Sequence, residues 1–269
     1  MTDTVLLEIK GPIANITLNK PERLNALDVP MWEAIAKAAA AVDGAPEVRV
    51  AILMGAGGAF CAGLDVKAGS TLTDLGLDGS PAMAIPAVRR HLAHLQACFS
   101  RLEACRVPVI GALERVCIGG GLELALCCDI RLAAEGTIFA IPEVQLGIVP
   151  DMGGTQRLPR TIGIGLAKEL IYSARRIDAA AALRIGLVNA VYPAGELAAR
   201  VAELAAEISG NAPLAVQAAK RSINGTYWRE LGAWLDQEAA EAAGPLLSDD
   251  RKHGMRAAAE RRRADFTGR

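Results

Sequence analysis

Apolar and polar residues alternate over positions 5–9 and again over 13–18, around Lys10, Gly11 and Pro12, and this period of two predicts a β-hairpin. Asp28 then stands where a helix N-cap belongs, Pro30 suits the first turn, and Gly44 ends the Ala-rich run between them. Positions 48–54 are apolar apart from Arg49, the pattern of a strand covered on both faces. Residues 70–86 have no period and carry Gly, Asp, Ser and Pro, which predicts a surface loop before an amphipathic helix over 87–105. A strand over 107–113, helices over 164–174 and from Asp178 to near Gly186, and a strand over 187–192 follow. From Glu196 the pattern is wholly helical, broken near Gly210, Gly225 and Gly244. The change of pattern near Pro193 divides the chain into an α/β core, 1–193, and a helical C-terminal part, 194–269.

Within this frame the stretch 116–157 breaks the rules of a plain core. Gly119, Gly120 and Gly121 open an apolar helical run, so its first N–H groups are free and another molecule can approach the backbone closely. Free amides at the positive end of a helix suit a developing anion. One carboxylate, Glu123, sits among Leu122, Leu124 and Ala125, where an unpaired charge is costly. Glu143 follows Pro142 in a turn, and Asp151 lies in the turn Pro150-Asp151-Met152-Gly153-Gly154. Backbone donors beside carboxylates suit enolate chemistry, in which one part holds the oxyanion and the other moves protons. Asp151 fits two roles, a third working carboxylate or the cap of a helix that begins near Gly153.

Composition narrows the class. The 269 residues are 52% hydrophobic but only 4% aromatic, so the core is aliphatic. A net charge of −1 leaves no electrostatic footprint for nucleic acid or an anionic membrane. No apolar run approaches the roughly 20 residues that span a bilayer, and no signal-peptide pattern opens the chain, so a cytoplasmic location is expected. The six cysteines lack zinc-site spacing and read as buried small hydrophobes, Cys61 included. His91 and His94 lie one helical turn apart, but no further ligand converges on them in sequence, so no metal is expected.

The segments 18–28 (LNKPERLNALD), 57–67 (GGAFCAGLDVK), 117–133 (CIGGGLELALCCDIRLA), 141–160 (IPEVQLGIVPDMGGTQRLPR) and the ending FTGR resemble, in order and over essentially the full length, the crotonase (enoyl-CoA hydratase/isomerase) superfamily. The resemblance implies an α/β fold built as a spiral of β-β-α units with a helical C-terminal part. It implies an acyl-CoA thioester substrate, a homotrimer or dimer of trimers, and no cofactor, coenzyme A being part of the substrate. By that analogy the amides of Ala62 and Gly120 form the oxyanion hole, and Glu123 and Glu143 are the glutamates that hold water against the alkene. Arg23, Ala26, Leu27, Asp65, Lys67 and Arg261 match positions that bind the coenzyme A portion, although Ala258 replaces a phenylalanine common three residues before the last of these.

One position departs from the hydratase pattern. Hydratases of the family usually carry Gly where this chain has Asp151, and the dienoyl-CoA isomerase branch carries aspartate there. Enoyl-CoA hydration is therefore the first expectation and dienoyl-CoA isomerisation the second. The carboxylates and near-neutral charge argue against a non-catalytic or RNA-binding relative.

Overall fold

The computed structural model describes residues 3–65, 81–225, 248–260, 262 and 264–268. The hairpin forms as expected, β1 (Val5–Lys10) pairing antiparallel with β2 (Ile13–Leu18). Helix α1 (Val29–Gly44) starts at Asp28, whose carboxylate accepts the Met31 amide at 3.0 Å. The chain continues through β3 (Val50–Gly55), α2 (Pro81–Glu103), β4 (Val109–Leu113), β5 (Val116–Ile118), α3 (Gly120–Ala125), β6 (Ile130–Ala134) and β7 (Ile138–Ala140). After these come α4 (Gly154–Ile162), α5 (Ile164–Ser173), β8 (Ile177–Asp178), α6 (Ala179–Arg184) and β9 (Ala190–Tyr192). Three helices follow, α7 (Leu197–Ser209), α8 (Pro213–Gly225) and α9 (Asp249–Ala259).

Two differences from the sequence reading have local causes. Helix α2 begins at Pro81, not after Pro86, so residues 81–86 are helical where a loop was expected; residues 70–80 of that loop lie outside the described residues. Pro81 is suited to a first helical position, and Pro86 forfeits one backbone bond near the start of a 23-residue helix that continues through it. Strand β8 has only two residues and exists by pairing with β7, a long-range partnership with no local period.

The main sheet has the order β1-β2-β3-β4-β6-β9, parallel from β2 onward, and a smaller sheet has the order β5-β7-β8. Strand β3 is covered on both faces, as its continuous apolar run requires. Ala51 and Leu53 join α1 and α2 in the larger core, which holds Met31, Ile35, Phe99 and Leu102. Val50 and Ile52 face the other way and meet Leu197, Val201 and Ala205 of α7. Helix α7 therefore belongs to the core, although the change of pattern near Pro193 would assign it to a separate helical part. Among the described residues no helix is long and apolar enough to cross a membrane.

Candidate active site

The site is assembled where three segments distant in sequence meet the start of α3. Phe60 and Cys61 run beside β5, their amides donating to the carbonyls of Glu114 (2.9 Å) and Val116 (3.0 Å), and the Ile118 amide returns a bond to Cys61 O. This ladder brings residues 61–65 against Gly119 and Gly120. On the other side Leu27 brackets Leu64: its N–H donates to Gly63 O at 2.7 Å and its carbonyl accepts the Asp65 amide at 2.8 Å. In a parallel bridge of this kind the bracketed residue turns its own N–H away from its partner. The Leu64 amide has no hydrogen-bond partner among the described residues, and neither does that of Gly120. A Cβ on Gly120 would lie 4.0 Å from Leu64 N, so the two free donors are neighbours.

This corrects the expected donor pair. The Ala62 amide is already bonded to Leu24 O at 3.0 Å and is not available to a ligand. Gly63, at φ +90°, bends the backbone between Ala62 and Leu64, and the sequence carries no signal for which of the two amides faces the pocket. Helix α3 is only six residues long, so its dipole is small and the amides themselves carry the electrostatic effect.

One pocket of about 270 Å³ is lined by Ala62, Leu64, Gly120, Glu123, Glu143 and Asp151, with Trp32, Leu92, Leu95, Leu146, Ile148 and Met152 supplying apolar wall. Glu123 is 2% exposed, and its Oε1 accepts the amides of Met152 at 2.9 Å and Gly154 at 2.7 Å. Glu143 opens a short 3-10 turn (Glu143–Leu146) after Pro142 and is 7% exposed. Its Oε1 lies against Gly119, where a Cβ would approach it to 2.7 Å; its Oε2 is buried with no partner among the described residues. Asp151 caps nothing: α4 is preceded by Gly153 and has no side-chain cap bond, which leaves the Asp151 carboxylate to the pocket.

Three carboxyl groups in one half-apolar cavity cannot all ionise easily. Burial, and then the neighbouring Glu143, push Glu123 up to about 8 against the pull of its two amide donors. Burial pushes Glu143 up to about 7, with Asp151 adding to it, and burial also raises Asp151. Near neutral pH the group holds protons in reserve as well as negative charge, the condition for paired acid and base work. Cys61 takes no part in this: burial pushes its thiol up to about 12, and its sulfur bonds to Asn25 O.

The family model for enoyl-CoA hydratase/isomerase matches residues 8–269. The chain belongs to the enoyl-CoA hydratase/isomerase family. It is 37% identical to a crotonyl-CoA hydratase of Syntrophomonas wolfei over 98% of both chains. It is also 36% identical to a peroxisomal Δ3,5-Δ2,4-dienoyl-CoA isomerase of Arabidopsis thaliana, over 94% of this chain and 92% of that one. Among solved structures, the enoyl-CoA hydratase of Bacillus anthracis superposes with a TM-score of 0.89 at 34% identity, covering 99% of this chain and 100% of that one. The α/β architecture is thus that of the family, and relatives with these names mark the chain as an enzyme of the hydratase/isomerase class.

The residues expected to bind coenzyme A take different places in this family member. Asp65 is 5% exposed and pairs with Arg23 and with Lys20 (3.3 Å), while Lys20 also bonds Asp28 at 2.9 Å. Asp65 therefore ties the 61–65 segment to the start of α1 and shows little surface to a ligand. The side chains of Ala26 and Leu27 are likewise buried, at 7% and 0%, and Leu27 acts on the site by orienting Leu64. Arg23 keeps about a third of its side chain exposed and stays open to a ligand on its outer side. Lys67 and Arg261 lie outside the described residues. His94 pairs with Glu33 at 3.1 Å.

Proposed function

We propose that this protein adds water across the 2,3 double bond of an enoyl-CoA thioester, using the amides of Leu64 and Gly120 on the thioester oxygen and the Glu123/Glu143 pair on the water. The observation that carries this reading is the convergence of two unpartnered amides and two raised-pKa glutamates on one cavity. With its oxygen between the two N–H groups, the thioester becomes an electron sink, and a single such donor contributes roughly 3 kcal/mol to the transition state. One ionised glutamate takes a proton from water as oxygen bonds to C3. The negative charge moves to the thioester oxygen, and the protonated glutamate then delivers a proton to C2. Atoms balance with one water added, and no cofactor is required. The name of the crotonyl-CoA hydratase relative and the apolar pocket wall support this assignment.

A second reading rests on Asp151. A third carboxyl group in the same pocket, free of capping duty, is placed to exchange protons with carbons further along a conjugated chain, which would move double bonds without adding water. The dienoyl-CoA isomerase relative supports it. A panel of 2-enoyl- and dienoyl-CoA thioesters followed by mass spectrometry separates the two. Hydration gives products heavier by one water, and Asp151→Asn leaves most of that activity in place. Isomerisation gives no mass change, and Asp151→Asn abolishes it. A panel without any product heavier by one water would overturn the first reading.

A further inference from the structure

Glu123 owes its setting to one turn, and that turn is fastened at every peptide. The Met152 amide that reaches Glu123 shares its peptide with the Asp151 carbonyl, which accepts Gln96 Nε2 at 2.6 Å. The Gly154 amide shares its peptide with the Gly153 carbonyl, which accepts the amides of Gln156 (3.0 Å) and Arg157 (2.8 Å). Between them, the Met152 carbonyl accepts Arg157 Nη1 at 3.1 Å. The Arg157 guanidinium is itself locked to α2: Nε and Nη2 donate to Glu103 Oε2 at 3.1 and 2.7 Å, and Nη2 to Ser100 Oγ at 3.1 Å.

The glycines of the turn fit the same purpose. Gly153 sits at φ +101°, and its missing Cβ would collide with the Arg157 guanidinium. A Cβ on Gly154 would lie 2.7 Å from Glu123 Oε1. A bound carbonyl polarises the N–H of its own peptide, so holding the carbonyls strengthens the amides offered to Glu123.

We propose that Arg157, anchored on α2 by Glu103 and assisted by Gln96, is a positioning residue that holds the 151–154 turn so that its amides support the ionised form of Glu123. This rests on Glu123 being a working carboxylate, as proposed above. The groups acting on Glu123 are Glu143 from the 3-10 turn, Asp151 from the turn itself and Arg157 from α4, with the Arg157 charge partly offset by Glu103. Cys127, in the turn just past the end of α3, stays a neutral thiol because burial raises it. Amide donors and a nearby cation both favour a carboxylate, so loosening the turn raises the Glu123 titration midpoint.

The test is an NMR pH titration of the full-length protein labelled with 13C-carboxyl glutamate, the Glu123 signal being assigned by its loss in Glu123→Gln. In Arg157→Gln the midpoint should rise from about 8 by a further ~1 pH unit. Turnover should drop about tenfold with KM changed less. Arg157→Lys, which keeps the charge without the planar fork, should restore part of the shift. Gln96→Ala changes no charge at an exposed position and should move the midpoint upward by less; it decides the matter alone should Arg157→Gln fail to fold. An unmoved midpoint in Arg157→Gln and Gln96→Ala overturns the proposal, whatever happens to turnover. Because the titration needs no substrate, a shifted midpoint in a protein that hydrates no enoyl-CoA would sink the proposed reaction and leave the clamp standing.

Discussion

Glu123 is held in a place that disfavours its charge. Its folded-state value, about 8, lies above the ordinary 4.5, so folding favours the protonated form. The stability linked to this group is fully present below its ordinary value and is lost as pH rises through about 8. Glu123→Gln keeps the oxygen that accepts the Met152 and Gly154 amides and removes the ionisation. It should raise Tm near about pH 9, by on the order of 2 kcal/mol in stability, and change it little near about pH 5. The same substitution should lower turnover by roughly a thousandfold. Thermal melts at the two pH values check the first effect, and an equal Tm gain at both would refute the burial argument. For the unmodified enzyme, kcat/KM should be bell-shaped with its maximum between about 7 and about 8, values that belong to the coupled carboxyl group as a whole. These glutamates were legible in the sequence because a carboxylate among leucines, or after a proline beside glycine-rich turns, breaks the local pattern. Leu64 was not, because nothing in its side chain marks its amide, and the bend at Gly63 and the pairing with Leu27 that set the amide beside Gly120 are long-range features.

At the level of elements, the local signals held where the cause was local. Asp28 caps α1 through its own carboxylate, and the hairpin follows from alternation around a glycine at φ +57°. Elements that exist through distant partners escaped: β8, the backbone pairing of residue 61 with residue 117, and the docking of α7 onto β3, β4 and β6. The last has a measurable consequence. Leu197 is 1% exposed in the core shared by α7 and the outer face of the main sheet. Leu197→Ala should cost about 2–5 kcal/mol, read as a lowered denaturation midpoint, while turnover per folded molecule at low temperature stays near the wild-type value. A loss below about 0.5 kcal/mol would show that α7 is an appendage and not part of the core.

For the whole molecule, the fold serves to bring segments 60–65, 119–123 and 142–154 to one cavity, with 24–27 bonded behind the first of them. All four lie within motifs visible in the sequence, and what joins them was not: the ladder from Phe60 to Ile118, the Lys20–Asp65–Arg23 tie, and the Arg157 link from α2 to the turn. Sequence order alone cannot show that glycine-rich segments more than fifty residues apart present their amides to the same point. The central claim is that the Leu64 and Gly120 amides together hold a thioester oxygen beside the carboxyl cluster. Its most direct test is the carbonyl stretch of a 13C-labelled saturated acyl-CoA thioester, recorded free and bound. Two donors on the oxygen predict a clear move to lower frequency on binding; a bound ligand whose carbonyl stretch stays at its value in water would contradict the account.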